Sequence, residues 1–222
     1  MRILWFSVTP SLYKKVYYGG WVASLENIFR KYNNTDELGI AFEYIKKEEY
    51  EKKDNVTYFP LYFKKNIYLN VLNKIKKNYY KEKLLNLSRE VINKFKPDIV
   101  QVFGSEWPFG ELVNEFNIPF VIHMQGSSLI YKLSSELAFS KIEQQKLIKF
   151  NIKKYISLFL YKPNTYIYDS EYNIIKNNKY FFCRTKWDNS LIKNINNKAK
   201  ILDCFEAIRD TIYYSEKWKY NN

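Results

Sequence analysis

The sequence predicts one α/β domain built on a doubly wound, mostly parallel sheet flanked by helices. Short apolar runs rich in β-branched and aromatic residues alternate with amphipathic segments along the 222 residues. One complete strand, helix and strand unit spans residues 97–126, where two such runs enclose a segment with apolar residues at helical spacing. Glycines and polar residues follow each run, and in sheets of this kind ligands bind beyond the carboxyl ends of the strands.

The same patterns place the other elements, with glycine, proline and polar clusters between them. Strands are expected at Ile3–Val8, Gly39–Tyr44, Val56–Phe59, Ile99–Phe103, Phe120–Met124, Tyr180–Cys183 and Ala199–Leu202. Helices are expected from Gly20 to about Lys31, within Asn66–Phe95 as one helix or two broken near Tyr80, from Pro108 to Phe116, and at Ser134–Leu160, Asn189–Asn194 and Glu206–Tyr214. Lys46–Asn55 reads as a solvated turn or loop, and Thr165–Lys176 fits a helix or a strand.

The chain is strongly basic, with 36 Lys and Arg against 23 Asp and Glu and a net charge of +13. Such a charge attracts anionic surfaces such as phospholipid, nucleic acid or phosphorylated ligands. The alternative is that the recurrent lysine pairs are solvated faces of helices and loops, because no single basic tract dominates. Aromatic residues make up 19% of the chain, which fits a sugar-binding or interfacial surface, or packing within the scaffold.

Cysteine usage and hydropathy bear on the compartment. Cys183 and Cys204 are the only cysteines, and isolated thiols without a CxxC pair or histidine partners indicate a reducing cytoplasm. The apolar run at the amino terminus is too short for a signal peptide. No window approaches the roughly 20 apolar residues that span a bilayer. We therefore expect a cytoplasmic protein, at most peripheral on the inner face of the membrane.

A glycine pair, Gly19-Gly20, separates the first predicted strand from the first predicted helix. In this arrangement the backbone amides at the helix N-terminus can approach a phosphate or a sugar hydroxyl. The alternative is ordinary turn chemistry, because the segment lacks GxGxxG and glycine pairs are common in turns.

Polar residues at the ends of the two strands within residues 97–126 are the principal candidates for ligand binding. Ser105 and Glu106 follow the first strand, and Gln125, Gly126 and Ser127 follow the second. Both ends lie at one edge of a parallel sheet, so we expect these residues to converge in a polar hollow. The carboxylate of Glu106 would hold ligand hydroxyls there, or it would instead cap the following helix, because acids favour helix N-termini.

The sequence offers no assembled catalytic set. His123, the only histidine, lies within an apolar strand and is expected to be a packed core residue without a catalytic role. No Ser/His/Asp set, no carboxylate pair and no metal-spaced cluster can be assembled from the residues.

Four motifs occur in order: Gly19-Gly20 before the first helix, PDIVQVFGSEWPFG, PFVIHMQG and CRTKWD. Together they resemble the amino-terminal domain of a family 4 glycosyltransferase with the GT-B architecture, over nearly the whole chain. That family joins two Rossmann-like domains across a cleft; the first mostly binds the acceptor, and the second binds a nucleotide-sugar donor. The resemblance implies that residues 1–222 are a single Rossmann-like acceptor-side domain, that the carboxyl-terminal donor domain is absent, and that this chain alone is inactive.

The resemblance also implies a reaction and its partners. A hexose would pass with retention of configuration from a nucleotide sugar to a glycan or lipid-linked acceptor in polysaccharide biosynthesis. Neither a metal nor a bound cofactor is expected, because the nucleotide sugar is a co-substrate held mainly by the missing domain. The basic surface fits contact with an anionic membrane, whereas nucleic-acid binding rests only on charge and aromatics and is not expected. The alternative function is a stand-alone module that binds glycan or nucleotide without catalysis.

Within this resemblance, Gln125 and Arg184 occupy positions that bear on ligand binding. Many family members carry a histidine where this chain has Gln125, and a glutamine hydrogen-bonds a hydroxyl but cannot take up a proton near neutrality. By resemblance Arg184 lies at the cleft, where it would meet a donor phosphate or an acceptor oxygen. The alternative is an internal ion pair with Asp188 across a helix turn. Trp21 and Trp107 either stack on sugar rings or pack into the sheet.

Overall fold

A mostly parallel sheet is the centre of the computed structural model, which describes residues 1–15, 20–33, 35–62, 78–131, 166–217 and 219. Within these residues the strands are β1 (Arg2–Ser7), β2 (Glu37–Tyr44), β3 (Glu51–Lys53), β4 (Val56–Tyr62), β5 (Ile99–Phe103), β6 (Phe120–His123), β7 (Tyr180–Cys183) and β8 (Lys200–Asp203). Their order is β3-β4-β2-β1-β5-β6-β7-β8, and only β3 runs antiparallel to its neighbour. The predicted doubly wound α/β fold is confirmed.

Helices cover both faces of the sheet. They are α1 (Gly20–Tyr32), α2 (Tyr79–Phe95), α3 (Tyr166–Asn177), α4 (Lys186–Ile195) and α5 (Asp210–Tyr213), with 3₁₀ helices at Tyr13–Lys15 and Pro108–Asn114. Along β1, Leu4 and Phe6 join the core formed with α2, α3, α4 and the second 3₁₀ helix, whereas Ile3 and Trp5 join the core under α1. This alternation is the period of two that a strand imposes on side chains, so α1 and the first 3₁₀ helix, through Tyr13, lie against one face and the other core helices against the opposite face.

The chain leaves the centre of the sheet in two directions. From β1 it passes through α1 to β2 and then to β4, whereas β5 returns to the opposite side of β1 and is followed outward by β6, β7 and β8. The strand order therefore reverses between β1 and β5. In an open α/β sheet the crevice beyond the carboxyl ends of the strands at such a reversal is the usual ligand site.

Most predicted strands agree with the structure to within about two residues, and the ambiguous segment at residues 165–176 is the helix α3. The prediction of a loop throughout Lys46–Asn55 is wrong, because Glu51–Lys53 pairs back on Val56–Tyr58 through a turn at Asp54, whose φ is 57°. All three residues of β3 are exposed, so no apolar pattern marks this strand. The helix predicted at Ser134–Leu160 and the first part of the one at Asn66–Phe95 lie outside the described residues.

Three boundaries differ from the prediction for identifiable reasons. β4 continues through Pro60 to Tyr62 because β3 ends opposite Tyr58, so the proline removes no hydrogen bond from that side. Helix α4 begins at Lys186, three residues early, because Thr185 and Asp188 form a capping box. The helix predicted at Glu206–Tyr214 is only the four residues of α5, which bury no side chain to stabilise a longer helix.

Candidate functional site

A pocket of about 210 Å³ lies at the reversal point between β1 and β5. The described residues that line it are Ser7, Val8, Thr9, Gly20, Trp21, Val22, Phe103 and Gln125. They come from the end of β1, the start of α1, the end of β5 and the segment after β6. The pocket therefore occupies the crevice that the strand order predicts.

Gly20 opens α1 at the pocket wall, with a φ of 57° that favours glycine. A Cβ on Gly20 would meet nothing within 4 Å, so the backbone conformation is the reason for glycine here rather than lack of space. At the end of β1, Ser7 Oγ accepts the Thr9 N–H at 3.1 Å and lies 3.2 Å from Thr9 Oγ1. Gly19, the other half of the predicted pair, lies outside the described residues.

The loop between β1 and α1 is anchored by a buried carboxylate that the sequence analysis did not identify. Glu26 Oε2 accepts hydrogen bonds from Ser11 Oγ at 2.6 Å and from Leu12 N–H at 3.1 Å. Its other oxygen accepts from Tyr58 OH at 2.5 Å and from Arg30 Nε at 2.9 Å. Ser11 has a φ of 53°, so this clamp holds a residue in a conformation that costs free energy. The spacing of Glu26 and Arg30 by four residues was the one available signal.

A second buried carboxylate joins the loops that follow β5 and β6. Glu171, on α3, accepts a hydrogen bond from Ser105 Oγ at 2.7 Å and another from Leu129 N–H at 2.8 Å. Burial raises the pKa of Glu171, and these hydrogen bonds oppose that rise. Ser127 is buried beside the same group. The predicted convergence of Ser105 and Ser127 is thus observed, but their partner comes from a segment whose secondary structure the sequence left open.

Glu106 lies between the two strand ends. Gly104 has a φ of 88°, and a Cβ at this residue would collide with Glu106 Oε2 while lying 3.8 Å from Gln125 Oε1. A Cβ on Gly126 would lie 3.7 Å from Glu106 Oε1. Gly104 therefore leaves room for this carboxylate, whereas a side chain at residue 126 would only touch it; the carboxylate bonds to its own backbone N–H and to no other described residue. Burial, together with the charge of Glu171, raises the pKa of Glu106.

Glu106 does not cap the helix that follows it. The residue at the cap position is Trp107, which makes no side-chain capping bond, and its ring packs against the larger core. The structure therefore excludes the capping interpretation and places the carboxylate beside Gly104 and Gly126, next to the pocket residue Gln125.

Arg184 joins the ends of β6 and β7 to the segment after β8. Its Nη2 donates to the backbone carbonyl of Gln125, and its Nη1 pairs with Glu206. The alternative of an ion pair with Asp188 is wrong, because that carboxylate accepts the backbone N–H groups of Arg184 and Thr185 at the start of α4. Arg184 consequently fixes the backbone of Gln125, a pocket residue.

His123 and Trp21 meet behind the pocket wall. The imidazole is buried, its Nδ1 lies 3.3 Å from Gln101 Nε2, and its centroid lies 4.8 Å from that of the Trp21 ring. Phe103 and Phe182 pack around the same imidazole. Burial lowers the pKa of His123 to about 4, so the ring is neutral at pH 7, as expected for a core histidine. Trp21 both packs on His123 and lines the pocket.

The structure thus brings the predicted residues to one edge of the sheet. Gly20 and Gln125 line the pocket, and Ser105, Glu106, Gly126, Ser127 and Arg184 lie beside it through the contacts described above. Among the described residues, no group of three His, Cys, Asp or Glu side chains could hold a metal ion. No helix within the same residues is long and apolar enough to cross a membrane.

Comparison with known proteins gives a likeness of fold. No family model and no curated protein matches the sequence. Sucrose-phosphate synthase from Thermosynechococcus elongatus superposes with a TM-score of 0.53 at 10% identity, covering 91% of this chain and 48% of that chain. A Glycyrrhiza uralensis UGT crystallised with glycyrrhetinic acid 3-O-monoglucuronide gives a TM-score of 0.44 at 9% identity, covering 91% of this chain and 48% of that one. The chain therefore spans about half the length of these glycosyltransferases and has a GT-B-like fold.

Proposed function

We propose that this chain is the amino-terminal, acceptor-binding domain of a retaining GT-B glycosyltransferase of family 4. The enzyme would transfer a hexose from a nucleotide sugar to a glycan or lipid-linked acceptor. The observation that carries the proposal is the pocket at the reversal point of a sheet whose fold resembles that of sucrose-phosphate synthase. Such crevices bind small molecules through a few convergent polar groups on a mostly apolar wall.

The described groups at the pocket suit a hydroxyl-bearing ring. The side-chain amide of Gln125 makes no hydrogen bond with a described residue, and it offers both a donor and an acceptor. The indole of Trp21 presents a flat apolar surface with an N–H at its edge. Ser7 and Thr9, whose hydroxyls lie 3.2 Å apart, belong to the same pocket lining. Holding an acceptor hydroxyl in place in this way is the positioning that makes transfer effectively unimolecular.

The remaining parts of the reaction follow from the same proposal. A donor domain would bind the nucleotide sugar and stabilise the departing nucleoside diphosphate. The chain's charge of +13 would favour contact with the anionic inner face of a cytoplasmic membrane, where a lipid-linked acceptor for polysaccharide biosynthesis would reside.

A second candidate is a module that binds glycan without transferring sugar. It is favoured by the position of Arg184, whose guanidinium is already bound to Glu206 and to the carbonyl of Gln125. That guanidinium is the cation whose charge acts on both Glu106 and His123 among the described residues, and its pairing with Glu206 offsets the positive charge that would otherwise attract a diphosphate.

The test uses the protein at its full natural length, supplied with UDP-, GDP- and ADP-hexoses and a panel of methyl hexopyranosides. We expect release of nucleoside diphosphate that depends on the saccharide. In Gln125→Ala the KM for the saccharide should rise about tenfold, the equivalent of one to two neutral hydrogen bonds, while the KM for the nucleotide sugar stays unchanged. Asn93→Ala, which removes an exposed amide from α2, is the control and should change neither.

The outcomes separate the two candidates. Saccharide binding without any nucleoside diphosphate release would favour the binding module. If the protein neither binds a saccharide nor releases nucleoside diphosphate, both candidates are contradicted.

A further inference from the structure

The pocket does not share the strongly basic character of the chain. The net charge is +13, yet none of the described residues that line the pocket is ionisable. The charged groups that adjoin Gln125 are the carboxylate of Glu106, near its side chain, and the guanidinium of Arg184, which donates to its backbone carbonyl. The long-range attraction of this protein for anions is therefore not directed into the pocket by the residues described around it.

The charges beside the pocket also disfavour an anionic ligand. The charge of Glu171 acts on Glu106 and disfavours a second negative charge there, and Arg184 acts in the opposite direction. The guanidinium of Arg184 donates from Nη1 to Glu206 and from Nη2 to the carbonyl of Gln125, so its charge is largely offset by Glu206, while its buried Nε has no hydrogen-bond partner among the described residues. An anionic ligand at this edge would therefore meet the carboxylates of Glu106 and Glu171, and the described cation beside them, Arg184, is already paired with Glu206.

Glu106 differs from Glu171 in having acceptor capacity to spare. Glu171 receives hydrogen bonds from Ser105 and Leu129. The carboxylate of Glu106 bonds to its own backbone N–H alone within the described chain, and Gly104 leaves space for it. A carboxylate accepts up to about four hydrogen bonds. Adjacent hydroxyls on a sugar ring are donors of the kind that would fill the remaining positions.

From this arrangement we propose that the pocket selects an uncharged sugar ring, and that Glu106 is the residue that determines this specificity. Glu106 accepts hydrogen bonds from ring hydroxyls, Gln125 donates to and accepts from the same ring, and Trp21 covers it. The pocket of about 210 Å³ is smaller than the roughly 300–1,000 Å³ typical of ligand pockets, which suits a single ring better than a nucleotide. The inference rests on the proposed function, because it names the class of acceptor that the proposed site takes.

The test compares matched ligands that differ only in charge. Methyl glucoside, galactoside and mannoside are titrated into the full-length protein beside the corresponding methyl uronides, and binding is followed by ligand-observed NMR. We expect at least one neutral pyranoside to bind about tenfold more tightly than its uronide, because repulsion between the carboxylate of the uronide and that of Glu106 should weaken binding by about that factor.

Variants at residue 106 assign the preference. Glu106→Gln keeps the shape and removes the charge, so the ratio of neutral to uronide affinity should fall to about twofold or less. Glu106→Asp keeps the charge and should keep the preference. Glu90→Gln makes the same charge change on the exposed surface of α2 and should leave the ratio as in the unmodified protein. Circular dichroism confirms that each variant is folded.

Each outcome decides a different point. A uronide that binds as tightly as its neutral partner overturns the specificity inference and leaves the proposed function standing. The same is true if Glu106→Gln keeps the full preference. If no saccharide of either kind binds, the proposed acceptor site is contradicted and the inference falls with it.

Discussion

Replacing Glu171 tests how the pocket edge is held, because this one buried carboxylate joins α3 to the loops after β5 and β6. In Glu171→Ala, Ser105 Oγ and Leu129 N–H lose an acceptor at 2.7 and 2.8 Å. Hydrogen bonds to a charged group contribute about 1.5–3 kcal/mol each. Removing the carboxylate also recovers part of the cost of burying it. We therefore expect the free energy of unfolding to fall by about 3 kcal/mol.

The conservative variant sharpens this expectation. In Glu171→Gln the amide oxygen still accepts one of the two hydrogen bonds, and the NH₂ group can donate to Ser105 Oγ, which is also an acceptor. The loss should then be about 1 kcal/mol. Glu90→Ala, on the exposed surface of α2, is the control and should stay within about 0.5 kcal/mol of the unmodified protein.

Urea denaturation followed by circular dichroism measures these differences, and hydrogen exchange at the Leu129 amide measures the clamp itself. Exchange at Leu129 should accelerate in Glu171→Ala far more than exchange in β1, because the loop loses its anchor while the sheet centre does not. Equal urea midpoints for Glu171→Ala and Glu90→Ala, with unchanged Leu129 exchange, would refute the reasoning.

The pKa of the same group gives the sign of its pH dependence. Burial raises the pKa of Glu171 in the folded protein, so the folded state binds more protons than the unfolded state at pH values just above 4.5. The contribution of this ionisation to the free energy of unfolding is therefore largest below the unfolded pKa, and it declines as the pH rises through the folded pKa. That decline should be absent in Glu171→Gln.

Three further predictions concern neighbouring residues. Gly104→Ala should lower the free energy of unfolding by about 1–2 kcal/mol, because its φ of 88° disfavours any side chain, and the displaced Glu106 should weaken saccharide binding; denaturation and NMR titration measure the two effects. The single histidine resonance, that of His123, should not titrate until about pH 4. Because the pKa of an unfolded histidine is about 6.5, the protein should lose stability as the pH falls from 6.5 to 4. His123→Phe should remove this loss. Glu26→Gln should accelerate hydrogen exchange at the backbone amide of Leu12, which mass spectrometry detects. The glutamine side chain has too few acceptor positions for the four donors that the carboxylate of Glu26 accepts.

The fold could be predicted because its strands are short apolar runs whose burial on both faces leaves a clear pattern. Ile99–Phe103 and Tyr180–Cys183 were placed to the residue. The exposed strand β3 could not be found in this way, because its pairing depends on the turn at Asp54 and not on any buried side chain. Asp188 suits a capping box with Thr185 as well as the alternative ion pair with Arg184, and only the structure shows that it forms the capping box.

The sequence predicts where the candidate site lies, but it does not predict which residues hold the loops of the site in place. Parallel strands end at one edge whatever the details of packing, so Ser105 and Gln125 had to lie near each other once the strands were known. Glu26 holds the loop between β1 and α1, and Glu171 holds the loops after β5 and β6; these two carboxylates come from helices on opposite faces of the sheet. Periodicity treats a polar residue on a helix as exposed, and only the packed structure shows which polar residues are buried with partners.

The charge of the chain and the charge of its pocket have different roles, and salt separates them. Attraction between a protein of +13 and an anionic membrane acts over distances near the Debye length of about 10 Å at 0.1 M salt, so it weakens as salt increases. Hydrogen bonds from a neutral sugar to Gln125 and Glu106 act at contact, and salt should leave them nearly unchanged. A protein that leaves anionic vesicles in 0.5 M salt but still binds a methyl pyranoside with unchanged affinity would have its general attraction on the outer surface and its recognition at the end of the central strands. A saccharide affinity that falls together with vesicle binding would show that both use the same basic surface, and the neutral pocket would then not be the site of recognition.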